Sequence, residues 1–424
     1  MPNVIDLLEQ RGFIDAMTAQ DMSAIANQPL KVYCGFDPTG DSLHLGNLVS
    51  IMGLAWFQRC GHTPVALVGG ATGLIGDPSG KSHERPVLDE ATIRLNLTGI
   101  ERDLRSVLDF SPGKNQALLV NNLDWYRDVS FITFLRDIGR HFRLGPMLAK
   151  ESVKTRVQSE EGMSYTEFSY QLLQGYDFYH LYKNEGVNVQ LGGSDQWGNI
   201  TAGTELVRKL SGDSVYGVTF PLLTRSDGKK FGKSEQGAIW LSPEKLSPYQ
   251  FYQYLYRMPD ADVIRLLKML TFLDLEEIQD IEKSMQRADA PPNMAQARLA
   301  EEVTRIVHGE NGLQTALKVT EGVRPGSNTA LDAETLEQLA ADMPSRSLSR
   351  DALVEQKLIE IMVQAGLQPS KGAARRLIQS GGAYLNNVRV DDPDYEISTN
   401  DLIDNRLLLL AAGKKNKVLV RCQK

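Results

Sequence analysis

The chain has 424 residues, too many for one compact core, so two to four domains are expected. Its apolar content of 42% and charged content of 23% are those of an ordinary globular protein, and a net charge of −7 argues against a nucleic-acid binder that uses its whole surface. Three cysteines (Cys34, Cys60 and Cys422) lack metal-ligand spacing and suit a reducing compartment, and the six histidines are scattered rather than grouped as a zinc site.

The first residues soon meet Asp6 and Glu9, unlike a signal or transit peptide, and no apolar run is long enough to span a bilayer. A cytoplasmic, non-membrane protein is expected. Lys31-Val32-Tyr33-Cys34 reads as a strand, followed by a helix over 45–59. Pro64-Val65-Ala66-Leu67-Val68 reads as the next strand, ending in Gly69-Gly70. Ala117-Leu118-Leu119-Val120 is a third, ending at Asn121-Asn122, and Val187-Asn188-Val189-Gln190-Leu191 a fourth, ending at Gly192-Gly193. Strands alternating with helices predict an α/β domain with a doubly wound parallel sheet, where ligands bind beyond the carboxyl ends of the strands. That domain is expected over 1–223, with a helical insertion at about 125–182. A mobile lysine loop and connector follow over 224–246, then an all-helical domain over 247–323, a linker over 324–351 and a small α+β domain over 352–424.

Pro38-Thr39-Gly40-Asp41-Ser42-Leu43-His44-Leu45-Gly46-Asn47 opens the first long helix. Gly35 and Gly40 relax the backbone before it, and Asp41 or Ser42 is expected as its cap. Unsatisfied N–H groups at the positive end of the helix dipole then face an anion. His44 and Asn47, three apart, project from one face as donors to phosphate oxygens, and Gly46 leaves room for a flat base. A lone His-x-x-Asn ordinarily marks a capped helix with a surface histidine. The Pro-Thr-Gly-Asp-Ser lead-in, right after a strand, turns the reading toward phosphate.

Gly69 to Ser82 is glycine-rich, but Ile75 stands where a phosphate loop needs glycine, and no Gly-x-Gly-x-x-Gly occurs. What remains is a close-approach turn carrying Asp77, Lys81 and Arg85, in which Asp77 suits either a turn aspartate or an acceptor for a ligand ammonium. Tyr170, Gln174 and Asp177 fall at i, i+4 and i+7 on one helix, a polar stripe that is either solvated or completed by a polar ligand. Leu191 to Asn199 repeats the pattern of strand end, glycine pair and helix start, where Asp195 is either a helix cap or a ligand for ribose hydroxyls. In Asp227 to Gly237, three glycines bracket three lysines, so Lys230 and Lys233 can swing onto phosphate as charge develops. In this order, the His44 segment and the lysine loop point to amino-acid activation.

At these residues the chain resembles the bacterial-type tyrosyl-tRNA synthetases, which are class I aminoacyl-tRNA synthetases. Tyr33-Cys34-Gly35-Phe36-Asp37-Pro38-Thr39, Gly69 to Ser79, Thr166 to Asp177, Gly192 to Asn199 and Lys230 to Ser234 match that family in order. The resemblance covers essentially the whole chain. It implies a nucleotide-binding catalytic domain, a helical domain at the anticodon region and a C-terminal RNA-binding fold. By position, Tyr33 and Asp177 would flank the phenol of L-tyrosine, and Tyr170, Asp77 and Gln174 would hold its amino group. Gly35, Asp37, Thr39, His44, Gly46, Asn47, Gly193, Asp195, Gln196 and Lys233 would meet ATP, with Asp195 on its ribose. Lys81, Arg85, Lys230 and Lys233 would meet the pyrophosphate, and Ser234 completes the catalytic set.

The implied reaction makes tyrosyl-adenylate and pyrophosphate, then passes tyrosine to the terminal adenosine of tRNA(Tyr). Mg2+ would accompany ATP as substrate, with no tightly bound cofactor and no protein metal cage. A homodimer through the helical insertion is also implied. One departure is Asn47, where the family usually has histidine and the sister tryptophanyl enzymes commonly have asparagine. A phenol and a carboxylate at the end of a pocket favour tyrosine, since phenylalanine or tryptophan would leave both buried and unsatisfied. In the last domain, Lys371 and Arg375 share one face of a helix with Arg376 beside them, and Lys414, Lys415 and Lys417 make a basic turn. Phosphate contact through these would position RNA without reading its sequence.

Overall fold

The computed structural model describes residues 2–79, 88–160, 162–228, 231–234, 237–322, 326, 332–340, 343–413 and 416–423. Six short strands frame its first part: β1 (Ala16–Met17), β2 (Lys31–Phe36), β3 (Thr63–Val68), β4 (Leu118–Asn121), β5 (Val189–Gly193) and β6 (Tyr216–Phe220). They pair in the order β1-β6-β5-β2-β3-β4. All neighbours run parallel except β1, which is antiparallel to β6. The sheet is thus parallel with one antiparallel edge strand. Winding leaves β2 in opposite directions, toward β3 and toward β5, and in such sheets this reversal, at the carboxyl ends of β2 and β5, is where ligands bind. The four strands expected from apolar runs are present. β1 and β6 went unread because two residues carry no periodicity and Gly217 interrupts the second run.

The helix Leu45–Arg59 follows β2 with its expected bounds and buries ten residues from Leu45 to Phe57. The helix Tyr165–Glu185 lays Phe178 and Leu181 on Tyr33, Val65 and Leu67 of the sheet, with Val207 from the helix Trp197–Ser211 completing that cluster. Between β3 and β4 runs the helix Glu90–Arg105, and the insertion holds the short helices Phe131–Asp137, Leu144–Leu148 and Glu151–Val157. The lysine loop forms a small antiparallel pair, β7 (Lys233–Ser234) and β8 (Gly237–Ala238). Buried Arg11 donates to the carbonyls of Lys268 (2.9 Å), Thr271 (3.4 Å) and Leu273, with its guanidinium 4.0 Å from the Trp56 ring. It thereby satisfies carbonyls that the end of the helix Asp260–Leu270 leaves open.

Contacts divide the chain into two units, Met1–Leu246 with Tyr254–His308, and Ser247–Gln253 with Gly309–Lys424. The region 247–323, expected as one helical domain, is therefore shared, and its last helix breaks at Gly309 (φ 69°, ψ −179°). The second unit carries β9 (Ser345–Ser349), β10 (Ala383–Leu385), β11 (Val388–Arg389), β12 (Leu407–Ala412) and β13 (Asn416–Gln423), ordered β11-β10-β12-β13-β9. Leu408 and Leu410 of β12 join the core under the helices Leu358–Gln364 and Lys371–Gln379, while Leu407 and Leu409 join a second cluster with Leu336 and Leu419. A strand buried on both faces reads as the unbroken leucine run seen here. The stretch expected as a linker holds the helix Ala333–Ala340 and β9, which is parallel to β13. β9 lies at the sheet edge and is largely exposed, so its Ser/Arg composition concealed it.

Candidate active site

Tyr33 stands in β2, where the burial pattern of a central strand leaves its ring 1% exposed and edge-on to Phe178, with centroids 5.2 Å apart. Among the described residues its phenol oxygen has no partner. Burial raises the phenol pKa well above its usual value, and the Asp177 carboxylate raises it further. Asp177, on the Tyr165–Glu185 helix, accepts from Asn122 Nδ2 at 3.0 Å and from Trp125 Nε1 at 2.9 Å. Burial nevertheless pushes its carboxyl up to about 7. Gln190 pairs in register with Tyr33, and its buried Oε1 is also unpartnered. Two orphaned polar atoms on adjoining strands are a strong sign of a polar ligand, because buried polar groups are otherwise paired.

A chain of hydrogen bonds leads away from this pocket. Asn122 accepts from Ala71 N–H (2.7 Å) and donates to Thr72 Oγ1 (2.9 Å). Thr72 donates to Asp37 (2.8 Å), and the Tyr170 hydroxyl donates to the other oxygen of Asp37 (2.7 Å). A second chain starts at Asp77, which closes an Asx turn by accepting from Ser79 N–H (2.9 Å) and also accepts from Gln196 Nε2 (2.8 Å). Gln196 lies 3.4 Å from Asp195, and Asn199 donates to Gln174, Gln196 and Ser79 at 3.1–3.3 Å. Of the two readings of Asp77, the turn aspartate is the one the bond from Ser79 N–H shows. The stripe Tyr170, Gln174, Asp177 faces inward: Tyr170 is 5% and Asp177 2% exposed.

The mouth of the Leu45–Arg59 helix is built differently from expectation. His44 itself is the N-cap, accepting from Asn47 N–H at Nδ1 (3.3 Å), while Asn47 Oδ1 accepts from His44 N–H (3.1 Å). This is a reciprocal capping box. Neither Asp41 nor Ser42 caps, because Asp41 pairs with Lys245 and the Ser42 hydroxyl turns inward to Asp103. Gly35 is exposed although it lies in a central strand, and Thr39 is exposed beside it, so this part of the sheet end is uncovered. The lysine loop meets the same mouth. Phe231 is buried edge-on to Tyr254, whose hydroxyl accepts from Gly232 N–H at 3.0 Å. Gly232 has φ +74°, and a Cβ there would lie 2.9 Å from Gly46 N, so a side chain would separate the loop from the helix. Lys233 is exposed beyond it, and Ser234 lies in β7. Gly193 ends β5 before the turn Ser194–Gln196 that carries Asp195. Lys81, Arg85, Lys230, Lys414 and Lys415 lie outside the described residues.

In the second unit, Lys371 pairs with Glu360 (2.5 Å) and Arg375 with Asp394 (3.1 Å), while Arg376 is exposed. Such surface pairs contribute little and yield readily to phosphate. Lys417 is half-buried in β13, and burial lowers its ammonium pKa. Sequence reasoning missed Thr72, Asn122, Trp125, Gln190 and Asn199. The signal for Asn122 was present, since the polar pair Asn121-Asn122 ends a parallel strand, where ligands gather. Among the described residues no group of three or more His, Cys, Asp or Glu side chains is placed to hold a metal, and no helix is long and apolar enough to cross a membrane.

Residues 25–323 match the family of class I tRNA synthetases for tryptophan and tyrosine, and residues 335–420 match a tyrosine–tRNA ligase C-terminal domain. The chain is 63% identical over 421 residues to a tyrosine–tRNA ligase of Protochlamydia amoebophila, covering 99% of each. It is 55% identical to the chloroplastic/mitochondrial tyrosine–tRNA ligase of Arabidopsis thaliana, covering 99% of this chain and 84% of that one. The crystal structure of a C-terminally truncated mitochondrial tyrosyl-tRNA synthetase of Aspergillus nidulans is similar with a TM-score of 0.68 and 32% identity, over 74% of this chain and 92% of that one.

Proposed function

The chain belongs to the class I tRNA synthetases for tryptophan and tyrosine and ligates tyrosine to tRNA, and from that premise we propose which residues carry each step. Tyr33 and Asp177 read the substrate hydroxyl: the phenol of Tyr33 donates to it, and it donates to the Asp177 carboxylate. The buried, unpartnered Tyr33 oxygen is the observation that carries this reading. A phenylalanine ring there would leave the Tyr33 hydroxyl unsatisfied, at about 1–3 kcal/mol, and bring Asp177 no donor beyond Asn122 and Trp125. Tyr170, Asp77 and Gln174 receive the ammonium, a reading supported by the networks that tie Tyr170 to Asp37, and Asp77 to Gln174 through Gln196 and Asn199.

At the other end, the capping box makes His44 Nδ1 an acceptor, so the ring proton belongs on Nε2, the donor offered to a phosphate oxygen. Asn47 uses its carbonyl oxygen in the cap and retains its amide N–H groups as donors. Gly46 admits the adenine, Asp195 takes the ribose, and Gly35, Asp37, Thr39, Gly193 and Gln196 line the ATP site. The tyrosine carboxylate attacks the α-phosphorus, pyrophosphate departs, and Lys81, Arg85, Lys230, Lys233 and Ser234 meet the charge that builds on it. Mg2+ enters with ATP as part of the substrate. The tRNA's terminal adenosine hydroxyl then takes the tyrosyl group and AMP leaves. Little covalent chemistry falls to the protein, which aligns reactants and stabilises charge.

Lys371, Arg375, Arg376, Lys414, Lys415 and Lys417 hold the tRNA backbone, with helices of 247–323 serving the anticodon region and 352–424 binding RNA. The protein acts as a homodimer, supported by the exposed Phe131, Ile132, Leu144, Leu148, Val157 and Tyr165 of the insertion. Unpaired Cys34, Cys60 and Cys422 support the cytoplasm as its compartment. ATP–pyrophosphate exchange with tyrosine, tryptophan and phenylalanine tests the pocket reading. Exchange with tyrosine alone is expected, and comparable exchange with tryptophan overturns it.

A further inference from the structure

We propose that Asp103 is a positioning residue for adenylate formation, holding the capped mouth of the Leu45–Arg59 helix and the exit of the lysine loop at one spacing. It sits in the last turn of the Glu90–Arg105 helix and is 3% exposed. A carboxylate buried so deeply must be compensated by bonds. Here its Oδ2 accepts from the Ser42 hydroxyl and from Leu43 N–H, both at 2.7 Å. These two residues immediately precede His44.

The same two residues grip the chain that leaves the lysine loop. Ser42 Oγ accepts from Ser242 N–H at 3.1 Å, and the Leu43 carbonyl accepts from Leu241 N–H at 2.9 Å. Leu45 N–H donates to the Ile239 carbonyl at 2.7 Å, and His44 pairs with Trp240 as an antiparallel bridge. Residues 239–242 therefore run beside 43–45 directly after β8. Arg102 secures the far side, donating to Ser242 Oγ at 2.7 Å and lying 3.1 Å from Glu244. The Glu90–Arg105 helix comes close enough to do this because Gly99 lacks a side chain, and a Cβ there would lie 1.8 Å from the Asp41 carbonyl. Asn96 adds a bond to the Pro38 carbonyl at 2.8 Å. Asn96, Gly99 and Asp103 fall at i, i+3 and i+7, one face of the helix.

Apart from the Asn96 bond to Pro38, these bonds end on backbone or side chains flanking His44 or the loop exit, and none ends on Tyr33 or Asp177. Loss of the Asp103 carboxylate thus shifts the phosphate-facing groups against one another and leaves the tyrosine slot in place. Misplacement of such groups falls on the chemical step. The inference rests on the proposed roles of His44 and Lys233, so the experiment includes a variant that tests the lysine role separately.

Tyrosyl-adenylate formation is followed by stopped flow at saturating tyrosine over a range of ATP, in the full chain and in Asp103→Asn, Ser42→Ala, the double variant and Lys233→Ala. Tyrosine dissociation constants and melting temperatures accompany the rates. Asp103→Asn is expected to slow adenylate formation on the order of 10- to 100-fold and raise the KM for ATP, with tyrosine affinity changed by less than about twofold. Ser42→Ala is expected to act in the same sense but less, and the double variant to be no slower than Asp103→Asn, because both act through one junction. A lower melting temperature with unchanged rate and ATP KM, or an equal loss of tyrosine affinity, overturns the proposal. If Asp103→Asn does not fold, Ser42→Ala, which keeps the carboxylate, decides on the same criteria. Should Lys233→Ala leave the rate unchanged, the assigned lysine role fails; if it slows the rate and Asp103→Asn does not, only the present inference fails.

Discussion

At the proposed hydroxyl end of the site, Tyr33, Asp177, Asn122 and Thr72 are nearly inaccessible to solvent, and Asn122 bonds both Thr72 and Asp177. At the phosphate end, Gly35, Thr39 and Lys233 are exposed, and His44 and Asn47 are only half-buried. The difference follows from what each end has to do. Rejecting a near-identical substrate requires polar groups that suffer when left unpaired, and they suffer only in a dry, rigid setting. Stabilising charge that appears during reaction requires groups that engage the leaving group more strongly as it forms than they engage the substrate. On the proposed roles, one end uses burial for specificity, and the other leaves cations accessible to charge as it develops.

The largest effect is expected at the exposed end. Lys233→Ala should lower the exchange rate by about 10²- to 10³-fold while tyrosine affinity and melting temperature stay as they are. A matching loss of tyrosine affinity would erase the distinction between the two ends. At the buried end, Asp177→Ala should compress the tyrosine-over-phenylalanine ratio of kcat/KM by about 100-fold, with most of the change in tyrosine rather than phenylalanine.

The buried end should also carry a pH signature. Asp177 is an acid whose folded pKa is raised to about 7 by burial. The folded, tyrosine-free chain therefore holds a proton that the unfolded chain releases near about 4, so this group subtracts stability as pH rises from about 4 to 7 and nothing further changes above. In the role proposed for Asp177, the bound hydroxyl needs the ionised carboxylate as acceptor. Tyrosine affinity measured by calorimetry should accordingly rise about tenfold from pH 6 to pH 8, and Asp177→Asn should flatten that slope.

Smaller effects sharpen the comparison further. Asn47→Ala removes half of the capping box and should destabilise the protein by about 1 kcal/mol in denaturant titration, alongside a reduced exchange rate. In the second unit, Lys371→Ala and Arg375→Ala should leave exchange untouched and weaken tRNA binding. Each should reduce the salt slope of that binding by about one. An effect of either on exchange would show that RNA contacts and adenylate chemistry are not separable.

Much of the fold was legible because apolar runs of strand length end in glycine or asparagine pairs at 69–70, 121–122 and 192–193. The bounds of the Leu45–Arg59 helix were legible from its polar lead-in and continuous apolar stretch. The stripe of Tyr170, Gln174 and Asp177 was legible as a helix face, though not as a buried one. What escaped notice depends on partners distant in sequence. Whether Ser42 or His44 caps the helix is decided by Asp103, 61 residues from Ser42, which draws the serine away. β9 is a strand only because β13 offers it a parallel edge, and its own polar sequence has no strand pattern.

The sequence by itself set which chemical groups stand at the strand ends and helix starts, because local backbone preference and side-chain period act over a few residues. Only the tertiary structure decided which polar groups would be paired and which, like the Tyr33 phenol, would remain buried without a partner. Pairing is a property of distance in space, and the bonds from Asn122 to Asp177, from Tyr170 to Asp37 and from Asp103 to Leu43 join residues that no local rule brings together.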